Sequence, residues 1–338
     1  MTVEHLAADL RVGNRRALAK AITLVESTRA EDQERAQRLL ELLLPHTGGA
    51  VRVGVTGVPG VGKSTFIEAF GLHLIGQGKR VAVLAVDPSS ARSGGSILGD
   101  KTRMARLAVA PEAFIRPSPS GGSLGGVARR TREAMLVCEA AGYDVVVVET
   151  VGVGQSEVAV ASMVDFFLVL LLPGAGDELQ GIKKGILEIA DALAVNKCDG
   201  DGVERAQRAA AEYRSALGLF RHESPNWDPP VLTVSALEGR GIEEVWATIE
   251  DHRARLGASG ELAARRQAQQ QKWLWSMLRD GLEEHFLGRT DVKRLLPELE
   301  AAVLAAKITP TVAARRLLAL LDDGDGGARA TAPRRARG

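Results

Sequence analysis

Cysteine is scarce in this sequence, charge of either sign is not in excess, and no apolar run is long. The two cysteines, Cys138 and Cys198, are too few for a disulfide framework, so a reducing compartment, the cytoplasm, is the expected setting. Lys and Arg number 43 against 42 Asp and Glu, a net charge of +1, which gives no general electrostatic reason to expect nucleic acid or an anionic membrane as partner. The longest strongly apolar run, Phe166 to Leu172, falls far short of the ~20 residues that span a bilayer. The first residues carry Glu4, Asp9, Arg11, Arg15 and Arg16, unlike a signal peptide. The six histidines are scattered and show no metal-ligand spacing. What remains is an ordinary soluble composition, 45% hydrophobic and 25% charged over 338 residues, which excludes disorder, collagen and coiled-coil fibre. Glycine, at 37 residues, stands out, and its placement carries the reading.

Residues 1–49 read as a helical extension, with Leu6 and Leu10, then Leu18, Ile22 and Val25, at helical spacing. Pro45 and Gly48-Gly49 end it. Short β-branched runs then alternate with amphipathic segments. The expected strands are Val51–Thr56, Val81–Val86, Val145–Glu149, Phe166–Leu172, Ala192–Val195 and Val231–Val234. Several are apolar without alternation, as in strands buried on both faces of a parallel sheet. A doubly wound α/β domain over 50–256 follows, with ligands expected beyond the carboxyl ends of its strands. Beyond Gly257–Gly260 the strand pattern stops. Leu274, Leu278, Leu282 and Phe286 recur every four residues, and Thr309-Pro310 reads as a helix start. This predicts a helical arm over 257–322, followed by a disordered Gly/Ala/Pro/Arg tail over 323–338.

Gly57, Val58, Pro59, Gly60, Val61, Gly62, Lys63, Ser64 and Thr65 match the spacing of a phosphate-binding loop. Glycines let the backbone wrap a polyphosphate and aim several N–H groups at its oxygens. Lys63 would reach the β- and γ-phosphates and Ser64 would bind Mg²⁺, while the following helix turns its positive end to the same anion. The competing reading is a glycine-rich turn with an incidental lysine; an apolar strand before it and a helix from Lys63 to Leu74 after it argue otherwise.

Asn196, Lys197, Cys198 and Asp199 follow a short apolar strand. A carboxylate at Asp199 can accept from both the N1–H and the exocyclic amine of guanine, a donor pair adenine lacks. Asn196 can order the loop and reach the guanine's acceptor edge, and the Lys197 stem can cover the ring face. Ser235, Ala236 and Leu237 follow the next strand and can offer a backbone N–H to the base oxygen. Cys198 reads as a packing residue. The site is therefore expected to take GTP and GDP.

Between these motifs lie Asp87, Asp100 and Glu149. Mg²⁺ takes oxygen ligands and keeps several waters, so one or two carboxylates with Ser64 and phosphates suffice. Asp87 before a proline can equally be a turn residue, and Asp100 a helix cap. Gly152 is placed to give its N–H to the γ-phosphate.

Together, Gly57–Thr65, Val86-Asp87-Pro88-Ser89-Ser90, the segment from Gly99 to Met104, the segment from Glu149 to Glu157 and Asn196–Asp199 resemble the MeaB/ArgK (MMAA) family. These are G-protein chaperones of adenosylcobalamin-dependent methylmalonyl-CoA mutase. Glu-Thr-Val-Gly-Val-Gly-Gln at 149–155 replaces the Asp-x-x-Gly of ordinary small GTPases, and the resemblance runs over roughly residues 1–320. It implies a P-loop NTPase fold of the SIMIBI type and slow GTP hydrolysis. It also implies a homodimer formed through the C-terminal helices, and an adenosylcobalamin-dependent acyl-CoA mutase as partner. It places Asp87, Asp100 and Glu149 around Mg²⁺ and the γ-phosphate. Cys198 departs from the family, where alanine is usual. The family also relays the mutase signal through a third mobile loop, here Pro173 to Lys183, which otherwise reads as a turn with Asp177 as N-cap and Gln180 as its partner.

Hydrolysis in this scheme is in-line attack of water on the γ-phosphorus, with Asp87 the first candidate to orient the water and Gln155 the second. No arginine is an obvious finger in cis; Arg129, Arg130 and Arg132 read as a solvated helix face rather than a phosphate patch. Three rival functions share parts of the pattern: a metallochaperone-type GTPase, an ATPase energising basic amino-acid transport, and a non-hydrolysing scaffold. The first lacks metal ligands and the second conflicts with Asp199.

Overall fold

Seven strands pair side by side in one direction in the computed structural model, in the order β3-β2-β4-β1-β5-β6-β7, every pairing parallel. The structure describes residues 2–86, 104–117, 124–150, 156–173, 184–218 and 224–323. The strands are β1 (Val51–Gly57), β2 (Val81–Val86), β3 (Ala113–Arg116), β4 (Val145–Thr150), β5 (Phe166–Leu171), β6 (Ala192–Val195) and β7 (Val231–Thr233). Six lie where the apolar runs predict them, to within a residue or two at the ends. The seventh, β3, is a four-residue edge strand bracketed by Pro111 and Pro117, too short for a periodic signal.

Alternation along each strand sends side chains into two layers. Val53, Val55, Val145 and Val147 meet α4 (Lys63–Gly76) and a helix over Ile242–Ala258 on one face. On that face the rings of Phe66 and Phe70 stack at 5.7 Å, and Trp246 tilts against Phe70 at 6.0 Å. On the other face Val146, Val148, Phe167 and Val169 share a core with the three N-terminal helices α1 (Val3–Arg11), α2 (Arg15–Glu26) and α3 (Ala30–Leu43) and with a helix over Leu124–Ala140. The N-terminal segment is thus packed into the same core as the sheet.

That packing overturns the reading of the arginines on Leu124–Ala140 as a solvated face. Arg129, Arg130 and Arg132 are half-buried. Arg129 Nε donates to the buried Glu133 at 3.1 Å, and Arg132 donates to Ser162 Oγ at 2.7 Å. Gln37, from α3, also reaches Glu133 at 3.4 Å. Burial pushes the Glu133 carboxyl upward against the opposing pull of Arg129. Cys138, on the same helix, is buried with its thiol pushed far up by desolvation, as fits a packing residue.

Residues 1–271 form one compact unit and 272–338 a second. Within the first, the opening turns of the helix Glu261–Gly288 are fastened to the strand-entry ends of β5 and β6. Arg265 donates to both carboxylate oxygens of Asp191, at 2.9 and 3.2 Å, and Arg266 to Asp165 at 2.6 and 2.7 Å. Asp165 and Asp191 also accept the backbone N–H groups of Arg52 and Phe167. Within the second unit, Thr290–Leu304 packs against Pro310–Asp323 around Val292, Leu299 and Ala313. Thr309 caps the last helix, accepting from Val312 N–H at 3.4 Å, and Pro310 is its first residue, as predicted. Leu274, Trp275, Leu278 and Leu282 are exposed. Among the described residues no helix is long and apolar enough to cross a membrane.

Candidate functional site

Because every strand runs the same way, the carboxyl ends of β1, β4, β6 and β7 lie along one edge of the sheet, where doubly wound folds bind ligands. The segment Gly57–Lys63 leaves β1 and enters α4, whose N-cap is Gly62. Gly62 has φ +96°, and a Cβ there would lie 2.8 Å from Asn196 Nδ2. Only glycine combines that left-handed backbone with so close an approach of the next loop. The turn aims the unpaired N–H groups of the first turn of α4 outward, a ready anion cradle. Ser64 and Thr65 sit in that first turn.

Lys63 folds back over the loop. Its Nζ donates to Gly57 O at 2.6 Å and to Val58 O at 3.5 Å. Burial lowers its pKa, while the charges of Glu149 and Glu157 pull it upward. Glu149, at the end of β4, is 5% exposed and Glu157 1%. Glu149 therefore lies within electrostatic reach of the lysine. Glu157 has no role in the sequence reading; its position in the first turn of the helix Ser156–Ala161 is visible in the sequence, but its burial beside Lys63 is not. Thr150 Oγ1 donates to Thr56 Oγ1 at 2.7 Å, tying the ends of β4 and β1 together in the buried sheet. Asp87, Asp100, Gly152, Gln155 and the loop segment 174–183 lie outside the described residues.

The second half of the site is built by β6 and β7. Asn196 is buried, and its side chain bridges two loops: Nδ2 donates to Val61 O at 2.8 Å, and Oδ1 accepts Ala236 N–H at 3.1 Å. Asn196 thus orders both the phosphate loop and the Ser235–Leu237 turn. The Ala236 N–H, a candidate donor to a base oxygen, is engaged by Asn196 here. Lys197 adopts φ +61°, a left-handed conformation uncommon outside glycine, and its side chain is exposed. Asp199 Oδ2 accepts from Ser235 Oγ at 2.7 Å, and the same hydroxyl oxygen accepts Glu238 N–H at 3.1 Å. Ser235 is itself held in a bridge with Arg240. One oxygen of Asp199 is braced from behind by a buried hydroxyl, a geometry that fixes the plane in which the carboxylate can accept. Cys198 packs on the core and its N–H donates to Val234 O.

A glycine loop feeding a helix N-terminus at the switch point of a parallel sheet defines a P-loop nucleotide-binding protein. Comparison with known proteins narrows the class. The family model described as "Methylmalonyl Co-A mutase-associated GTPase MeaB" matches residues 18–291. A protein of Caulobacter vibrioides described as a putative GTPase is 58% identical over 319 residues, covering 94% of this chain and 98% of that protein. The mitochondrial methylmalonic aciduria type A homolog of Mus musculus is 50% identical over 94% of this chain and 79% of its own length. A crystal structure described as an LAO/AO transport system kinase superposes with a TM-score of 0.77 at 44% identity, covering 95% of this chain and 97% of that one. The chain belongs to the MeaB family and is a guanine-nucleotide-binding GTPase.

Proposed function

We propose that this GTPase couples GTP binding and hydrolysis to the loading, protection or reactivation of adenosylcobalamin in an acyl-CoA mutase of the methylmalonyl-CoA type, in the cytoplasm. The observation that carries the nucleotide half of this reading is the Ser235–Asp199 hydrogen bond at 2.7 Å, joined through Asn196 to the phosphate loop. The mutase half rests on the family description and on the mouse relative.

In this reading Gly57–Thr65 wraps the α- and β-phosphates with backbone N–H groups. Lys63 exchanges its contact with Gly57 O for the β- and γ-phosphate oxygens, and Asp199 accepts from guanine N1–H and N2–H. The oxygen groups at hand are of the kind Mg²⁺ takes: Ser64 follows Lys63 in the first turn of α4, and the buried Glu149 carboxylate is within electrostatic reach of that lysine. Ser64 and Glu149, with Asp87 and Asp100, would hold the ion, which when bound supplies neutralising charge at the β- and γ-phosphates. Asp87, following β2, orients the attacking water, with Gln155 the second candidate. Gly152 reports the γ-phosphate through its backbone N–H. The sequence offers no obvious arginine finger in cis, so turnover is expected to be slow until a partner completes the site.

The four exposed side chains Leu274, Trp275, Leu278 and Leu282 support a homodimer through the C-terminal helices, since a stripe of this kind is stabilised by covering. A second reading, energised basic amino-acid transport, is favoured by the description of the similar crystal structure; it requires ATP, which has no donor pair for Asp199. Co-purification of native partners, followed by GTPase assay with the recovered mutase, tests the proposal. Acceleration of phosphate release by the mutase is expected; indifference to every acyl-CoA mutase tried would overturn it.

A further inference from the structure

The short helix Ser156–Ala161 runs back along the sheet from the nucleotide edge. The chain leaves β4 at Thr150, on the carboxyl edge, and reaches the opposite edge at Asp165, whose N–H donates to Arg52 O near the start of β1 at 2.9 Å. The helix lies close on β1 because Gly54 carries no side chain: a Cβ there would stand 2.9 Å from Val160 Cγ1. Glu157 precedes Val160 by three residues and so shares its helix face, one turn nearer the nucleotide edge. In the same direction β1 continues from Gly54 to Thr56 and Gly57, where the phosphate loop begins. Glu157 is thus sealed from water at the foot of that loop. A buried carboxylate there opposes the anion the loop is shaped to take, and its own burial is stabilised by a nearby cation. Lys63 is within its electrostatic reach: burial lowers the lysine's pKa, and Glu149 and Glu157 both oppose that effect. Of the two acids, Glu149 is the one that the reading above gives to Mg²⁺.

We propose that Glu157 is a positioning residue for GTP hydrolysis, whose buried carboxylate acts through Lys63 and holds the ammonium back from the γ-phosphate of bound GTP. The role rests on the nucleotide reading given above. Lys63 then grips the ground state less tightly than an unopposed ammonium would. Its contact strengthens as negative charge grows on the oxygen bridging the β- and γ-phosphorus atoms, so the interaction favours the transition state over bound substrate.

Glu157→Gln keeps the shape of the side chain and removes its charge. The full chain is titrated with GDP and with a non-hydrolysable GTP analogue, and phosphate release is followed in a single turnover. The analogue is expected to bind about fivefold tighter, GDP to change less, and hydrolysis to slow about tenfold, a split between ground-state binding and rate that a loosened fold does not produce. Glu157→Met, uncharged and of similar length, is expected to show the same split, and Glu157→Asp, which keeps the charge, to return the analogue's affinity toward wild type. Val160→Ala loosens the same helix on Gly54 and is expected to lower thermal stability with affinities and rate unchanged. The Mg²⁺ concentration for half-maximal hydrolysis is expected to match wild type in Glu157→Gln, because the role runs through Lys63. Weaker or unaltered analogue binding in both uncharged variants, an undiminished rate, the same split in Val160→Ala, or a raised Mg²⁺ requirement would overturn the proposal. All of these are read against wild-type GTP binding, so they leave the nucleotide assignment standing; that assignment fails separately, if the wild-type chain binds no guanine nucleotide.

Discussion

Replacing Asp199 with asparagine exchanges an acceptor for a group that is half donor, at the atom that Ser235 braces from 2.7 Å. Two charge-assisted hydrogen bonds to guanine, each about 1.5–3 kcal/mol, disappear. Their loss is about 3–6 kcal/mol, roughly 10²- to 10⁴-fold in affinity. Xanthine carries an oxygen where guanine carries the exocyclic amine, so the asparagine amide can donate to it and the preference inverts toward xanthosine triphosphate. Because Ser235 only orients the carboxylate, Ser235→Ala removes about 1 kcal/mol, on the order of fivefold, without inversion. Fluorescent-nucleotide titration of the three proteins with guanosine, xanthosine and adenosine triphosphates measures all of this. An Asp199→Asn protein with unchanged nucleotide preference would refute the base-recognition account.

Lys63→Ala removes the ammonium that reaches Gly57 O at 2.6 Å and is expected to abolish GTP binding or hydrolysis; turnover like wild type, by phosphate release, contradicts its role. Gly54→Ala in β1 places a Cβ 2.8 Å from Phe167 Cδ2 and 2.9 Å from Val160 Cγ1, and overpacking of this kind costs about 1–3 kcal/mol; thermal unfolding with bound GDP and without it checks the loss. Burial raises the Asp191 carboxyl, but the His252 imidazole 3.5 Å away and the pairing with Arg265 outweigh it and leave the pKa below the ordinary value. A depressed carboxylate stabilises the fold above its unfolded pKa and loses that contribution as pH falls through the folded value. Asp191→Asn is therefore expected to be destabilised at pH 7, with the gap to wild type closing below about pH 4; a gap that widens on acidification, in denaturant titrations, contradicts the sign.

What was legible in the sequence follows from range. Strands β1, β2, β4, β5, β6 and β7 are built mainly of Val, Leu, Ala and Phe, and all but the short β7 are buried on both faces, so each segment declares itself without its neighbours. The phosphate loop is equally local, since glycine spacing before Lys63-Ser64 specifies a backbone path. Asn196 and Asp199 were legible as a motif, but the joining of Asn196 to Val61 and Ala236 depends on β1, β6 and β7 ending at one edge. Glu157 shows the limit: an acid in a helix's first turn is ordinary, and only tertiary packing buries it beside Lys63. Arg129, Arg130 and Arg132 were misread for the same reason, because α2 and α3 cover a helix whose sequence alone presents a charged face. Arg265 and Arg266 likewise find Asp191 and Asp165 seventy or more positions away, beyond any local pattern.

A calorimetric comparison of GDP and ADP binding to the wild-type chain bears most directly on whether the braced carboxylate selects the purine. Tight GDP binding with ADP weaker by at least about 100-fold is the predicted result, and equal affinity for the two would contradict it.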